Sequence, residues 1–113
     1  MRWLLRSKIH KATVTEANLA YTGSITIDQS LLEKVGLMEG EKVLVVDNTN
    51  GARLETYVLK GDKNSGIICM NGAAAHLIKK DDEIIIMGFE LSDKEINATK
   101  ILVDKNNQFL KYI

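Results

Sequence analysis

The sequence predicts a mainly β protein, a small closed barrel with one or two short helices. Two observations carry this expectation. About seven short runs of β-branched and apolar residues recur along the chain with turn signals between them. Only one segment has both a capping residue and a stop, so the strand–helix alternation of a parallel α/β sheet is missing.

Taken in order, "WLLRSKIHKATVT" interleaves apolar and polar residues as a strand does, and "SITID" alternates strictly. "DQSLLEKVG" is the clearest helix, with Asp28 to cap its start and Gly36 to end it in a left-handed conformation. "EKVLVVD" reads as a buried strand and "NTNGARLETYVL" as the next one. Asn50-Gly51 between them is a hairpin signal, because both residue types tolerate positive φ. "KGDKNSG" is a polar loop, "GIICM" a strand, and "NGAAAHLIKK" a turn entering a short helix. "DEIIIMGFE" and "ATKILVD" complete the strands.

At 113 residues the chain is a single domain, and 45% apolar with 27% charged residues is enough for a packed core. Fifteen basic residues balance fifteen acidic ones, which gives no support to nucleic-acid or membrane-surface binding. The balance is uneven, however: residues 1–23 hold Arg2, Arg6, Lys8 and Lys11 against Glu16 alone, so the acidic excess lies in 24–113. Such a basic segment attracts carboxylates, or is simply a solvated strand face. The lone cysteine, Cys69, excludes an intrachain disulfide and reads as a buried, inert thiol. No apolar run approaches the roughly 20 residues that span a bilayer, and charges interrupt the first residues too often for a signal peptide. The expected location is the cytoplasm. His10, Cys69 and His76 lack the close paired spacing of zinc ligands, so no metal is expected. Ser24 is in no nucleophile elbow, and "GDKNSG" is no phosphate loop.

Gly23-Ser24 by itself is an ordinary turn dipeptide. Its surroundings are more specific. "SKIHKATVTEANLAYTGSITID", then "NGARLETYVLKG", then "SGIICMNGAAAHL" resemble, in order and spacing, the signature blocks of the aspartate 1-decarboxylases, small pyruvoyl-dependent enzymes that make β-alanine. The likeness covers most of residues 2–77. It weakens later, where Asp81-Asp82 replaces a usual Gly-Asp, Phe89 stands where tyrosine is common, and His76 where arginine is.

The resemblance implies a double-psi β-barrel and self-cleavage between Gly23 and Ser24 into a β chain, 1–23, and an α chain, 24–113. A carbanion left by departing carbon dioxide needs an electron sink, and no side chain supplies one. In the family the serine makes a covalent pyruvoyl group, with neither metal nor pyridoxal phosphate. The serine hydroxyl attacks the preceding carbonyl to form an ester, elimination leaves dehydroalanine, and loss of ammonia completes the group. Glycine before the serine permits the strained turn that such an attack requires.

By the same resemblance Ser24 and Tyr57 are catalytic, Tyr57 as proton donor, and Thr56 polarises the scissile carbonyl. Arg53 and Lys8 would bind the carboxylates of L-aspartate, the arginine through its planar fork. Asn71 would hydrogen-bond the reacting group, and Gly72, Ala73 and Ala74 would offer unobstructed backbone donors at a helix start. Tyr21 and His10 match positions near the family site. A homotetramer with sites between protomers is implied, and whether a maturation factor assists is open. One tension is internal to the sequence: in a regular strand Arg53 and Tyr57 share a face that Thr56 does not. The strand must be bulged there, or the site must straddle a subunit boundary. Two readings stay beside this one: a decarboxylase of another acidic amino acid, and a β-barrel binding module that never cleaves.

Overall fold

The computed structural model describes all residues, 1–113, and half of them pair into one nine-stranded sheet. Its strands are β1 (Arg2–Thr13), β2 (Glu16–Asn18), β3 (Ile25–Asp28), β4 (Lys42–Asp47), β5 (Arg53–Gly61), β6 (Ile68–Asn71), β7 (Glu83–Ser92), β8 (Thr99–Val103) and β9 (Phe109–Tyr112). One helix, α1 (Gln29–Val35), and a 3-10 turn over Gly72–His76 interrupt them. The mainly β class with short helices is as expected. Two strands went unread in the sequence. β2 is only three residues long, and β9 is an edge strand whose residues are mostly exposed, so neither shows an apolar alternation.

The strands lie in the order β2-β6-β3-β5-β4-β7-β1-β8-β9. β1 with β8, β2 with β6 and β3 with β5 run parallel, and the remaining neighbours run antiparallel. β1 runs almost directly into β2, yet the two stand towards opposite ends of that order, so the sheet must curl until its ends meet. The closing contacts are visible. Thr15 N–H donates to the Ile68 carbonyl at 2.8 Å. The Asn107 amide accepts from Thr13 N–H at 2.7 Å and donates to the Thr13 and Gly66 carbonyls, both at 2.8 Å. The result is a small closed β-barrel, the class the sequence predicts. Its core is aliphatic, with Ile9, Ile25, Ile27, Val45, Val58, Ile68, Met70, Ile84, Ile86 and Ile101 wholly buried.

α1 forms where its caps place it. Asp28 accepts from Ser30 N–H at 2.8 Å and Ser30 Oγ–H at 2.7 Å, and Gly36 ends the helix at φ 76°. Asp28 does more than cap. Fully buried, it also accepts from Asn64 N–H at 2.9 Å and Gly66 N–H at 2.8 Å, fixing the β5–β6 loop to the helix start. Burial alone would raise its pKa, but the hydrogen bonds from Ser30, Gly66 and Asn64 outweigh that and hold it below the ordinary carboxylate value.

The β4–β5 hairpin is longer than the Asn-Gly pair suggested. Only Gly51 has positive φ, and Gly51 N–H donates to the Asp47 carbonyl at 2.8 Å across a wider loop. Asp47 organises that loop by accepting from Thr49 N–H at 2.7 Å and Asn50 N–H at 3.3 Å. Its carboxyl titrates above the ordinary value because it is buried and faces the Asp82 carboxyl. The departure at Asp81 also has a structural meaning: its φ is 74°, a left-handed conformation that glycine adopts without strain.

Two outcomes follow. Asp28→Ala lowers unfolding free energy in urea by about 3 kcal/mol, combining a lost cap with orphaned buried donors. Because the folded pKa of Asp28 is depressed, its contribution is present above the unfolded value of 3.8 and lost as pH falls through the folded value, so the wild-type and Asp28→Ala stabilities converge in acid. Asp81→Gly raises stability by about 1 kcal/mol in the same assay, by removing left-handed strain.

Candidate active site

The site is set by the neighbours of β3. This strand lies between β5, parallel to it, and β6, antiparallel, with Ile25 facing Val58 on one side and Met70 on the other. One step back along each register, Ser24 stands at the mouth of β3 between Tyr57 of β5 and Asn71 of β6. Asn71 N–H donates to the Ser24 carbonyl at 3.0 Å, continuing the ladder. Asn71 Nδ2 donates to Ser24 Oγ at 2.9 Å and to Thr26 Oγ1 at 3.1 Å. Asn71 Oδ1 accepts from the Cys69 thiol at 3.1 Å.

Ile25, Val58 and Met70 are wholly buried and point into the barrel, so Ser24, Tyr57 and Asn71 project to its outer side. Ser24 is nevertheless 2% exposed, covered by the loop that leads into it, whereas Tyr57 is 41% exposed. The backbone at the junction is unusual. Gly23 has φ 107° and Ser24 φ 97°, and for a residue with a Cβ that value is a strained one.

Gly72 explains how the junction is held. A Cβ on Gly72 would lie 2.7 Å from Gly23 N, 2.8 Å from Gly23 Cα and 2.9 Å from the Tyr21 carbonyl, so the loop before Ser24 rests directly on the Gly72 backbone. Ala73 beside it is exposed and Ala74 half-buried. The segment that reads as a helix start is a five-residue 3-10 turn, too short for much of a dipole of its own.

The remaining predicted residues are not gathered here. β5 pairs with β4 without a bulge, and Arg53, Glu55 and Tyr57 all lie on its exposed face while Thr56 is half-buried on the other. The bulge that could have reconciled them is therefore excluded. Thr56 makes no side-chain hydrogen bond to Gly23 or Ser24. Arg53 lies four residues from Tyr57, about 13 Å along the strand. Lys8 lies on β1, which is separated from β3 by β5, β4 and β7 in the strand order. It shares a row with Met87, Leu44 and Glu55. A groove of about 500 Å³ lies by that row and not by Ser24, lined by Trp3, Lys42, Leu44, Glu55 and Phe89 among others. His10, also on β1, has its Nδ1 buried without a partner. Its pKa is lowered by burial first, then by Lys8 and Lys11. Tyr21 is exposed on the loop before Gly23.

Two residues at the site were not assigned to it from the sequence, where Thr26 went unremarked and Cys69 read as an inert thiol. Thr26 and Cys69 each lie two residues from a predicted one, Ser24 and Asn71, and strand periodicity puts them on the same face. That periodicity was the signal available.

A model described as aspartate decarboxylase matches residues 1–110. The chain is 54% identical over 111 residues to the aspartate 1-decarboxylase of Acetivibrio thermocellus, covering 95% of this chain and 88% of the relative. It is 54% identical over 112 residues to that of Clostridium botulinum, covering 96% and 88%. It is 49% identical over 116 residues to that of Bacillus cereus, covering 99% and 91%. A computationally designed protein of known structure superposes on it with a TM-score of 0.47 at 16% identity, over 77% of this chain and 99% of its own, a similarity too slight to carry weight. A buried serine in a strained turn, held by an asparagine across the ladder, thus coincides with a family match over nearly the whole chain: the protein belongs to the aspartate decarboxylase family.

Proposed function

We propose that this chain cuts itself between Gly23 and Ser24, carries a pyruvoyl group derived from Ser24, and decarboxylates L-aspartate to β-alanine and carbon dioxide, supplying pantothenate and coenzyme A synthesis in the cytoplasm. The single observation that supports it best is the Gly23–Ser24 junction. A buried hydroxyl in a left-handed residue, with an amide donor 2.9 Å from its oxygen, suits a self-reaction and serves no purpose in packing.

The residues present fit a group formed at this position. Converting Ser24 to a ketone removes its tetrahedral Cα and with it the strain at φ 97°. The new amino terminus would remain bounded by Asn71, Thr26 and Tyr57. Such a group, joined to the substrate nitrogen, supplies the electron sink that side chains lack. Tyr57, exposed at the mouth of the strand beside Ser24, would hand a proton from its phenol O–H to the substrate carbon. Gly72, Ala73 and Ala74 follow Asn71 directly and bring little side-chain bulk to the junction.

Lys8 and Arg53 fit this reading only if copies associate. Within one chain Lys8 sits on a strand separated from β3 by three others in the sheet order, and Arg53 lies about 13 Å along β5 from Tyr57. We place the substrate-binding cations of one protomer against the Ser24 junction of a neighbour, in a homotetramer. Two cations match the two carboxylates of L-aspartate. Residues 1–23 remain attached after cleavage because β1 pairs with both β7 and β8.

Intact mass tests the cleavage. Wild type yields two fragments, 1–23 and 24–113, the second adding mass with a carbonyl-trapping hydrazine, whereas Ser24→Ala stays whole and inactive. Decarboxylation by Ser24→Ala would refute the assignment. Mixing tests the shared site. Lys8→Ala and Ser24→Ala chains, each inactive alone, recover roughly a quarter of wild-type activity when co-expressed, from random pairing at a symmetric interface. Sites contained within one chain would recover none.

A further inference from the structure

The amide of Asn71 is fully engaged, and its engagement has a direction. Its two N–H hydrogens go to Ser24 Oγ and Thr26 Oγ1, and its oxygen accepts from Cys69. Neither hydroxyl decides which end of the amide faces it, because a hydroxyl donates or accepts with equal ease. The thiol does decide. Sulfur is a poor acceptor, and its hydrogen has one near partner: Oδ1 at 3.1 Å, against 4.0 Å to the Met70 carbonyl. An amide turned over would set its N–H hydrogens against the thiol hydrogen and its oxygen against Ser24. Burial first, and then Glu16, raise the Cys69 pKa, so the sulfur keeps its hydrogen at neutral pH.

We propose that Cys69 and Thr26 are positioning residues for self-cleavage: Cys69 sets the direction of the Asn71 amide, so that its amine and not its carbonyl faces Ser24 Oγ, and Thr26 anchors that amine in place. This rests on the reading of Gly23–Ser24 as the bond that breaks. In the first step Ser24 Oγ bonds to the Gly23 carbonyl carbon, the amide C–N bond breaks, and the nitrogen takes the hydroxyl proton. In the second, the Ser24 Cα–H proton passes to water as base and Cα=Cβ forms. The Cβ–Oγ bond breaks with its electron pair going to Oγ, which leaves as part of the Gly23 carboxylate. Negative charge therefore develops on the very oxygen that Asn71 Nδ2 contacts at 2.9 Å. The correctly turned amide stabilises this leaving oxygen; a reversed one repels it. The elimination is the step the pair governs.

The test follows maturation by intact mass, with and without hydroxylamine, which cuts esters and spares amides. Cys69→Ala releases fragment 1–23 about tenfold more slowly than wild type and accumulates hydroxylamine-sensitive ester. Cys69→Ser, which keeps a donor on the same carbon, matures within about twofold of wild type. Thr26→Val against Thr26→Ser gives the same contrast by an independent route, with folding of every variant checked by circular dichroism. Wild-type speed in both Cys69→Ala and Thr26→Val overturns the inference. So does equal slowing by Cys69→Ser and Cys69→Ala, which marks packing, and so does slowing without ester. In each of those results the wild type still cleaves, so the reading of Gly23–Ser24 survives. A wild type that stays whole overturns that reading and this inference together.

Discussion

The position of β3 between β5 and β6 is the constraint on which the rest depends. A four-residue strand with an aliphatic inner face can lie in only one register, because a slip by one residue would turn Ile25 and Ile27 outward and bring Thr26 into the core. That register fixes where the preceding residue emerges. Ser24 must come out beside Tyr57 and opposite Asn71, although the three are far apart in sequence. The site is thus a by-product of core packing: Ile25, Val58 and Met70 meet inside the barrel, and their neighbours meet outside it.

The strain at Gly23 and Ser24 is sustained by that rigid frame. A non-glycine residue at φ 97° persists only when its surroundings over-determine it. Here the Gly72 backbone supports the loop from beneath, the Asn71 backbone and side chain hold Ser24 at two points, and Ile25 anchors the strand behind it. Distant polar groups stiffen the frame in turn. Asp28 joins the helix start to the β5–β6 loop, and Asn107 clasps the end of β1 to Gly66. Each is buried and satisfied several times over, so removing either leaves donors or acceptors without water to replace them.

The charge asymmetry of the chain acquires a place in the fold. Arg2, Arg6, Lys8 and Lys11 all lie on β1, and Arg6 is turned to structural use by its ion pair with Glu41. Lys8 remains on the outer side, in a row with Glu55 and three strands removed from β3 in the sheet order. The one-domain barrel brings together the groups that would cut the backbone and leaves apart the cations that would bind a dicarboxylate. Regular alternation along β5 produces the same division, since it sets Arg53 and Tyr57 on one face and Thr56 on the other. The assembly of copies proposed above would accommodate both.

Local chemistry was enough to determine the fold class, the capped helix at Asp28 and Gly36 and most of the strands, and three contiguous blocks of sequence pointed to the Gly23–Ser24 junction. Those features are written in short-range signals: alternation, caps and contiguous motifs. β2 and β9 were illegible because a three-residue strand and a polar edge strand take their order from a neighbour and not from their own pattern. The wide loop at Asp47, the positive φ of Asp81 and the 3-10 turn after Asn71 depend likewise on what packs against them. Only the tertiary structure decided that Thr26 and Cys69 converge on Asn71 and that Lys8 and Arg53 do not. Register between strands distant in sequence is set by burial of the opposite face, and no single segment carries that information.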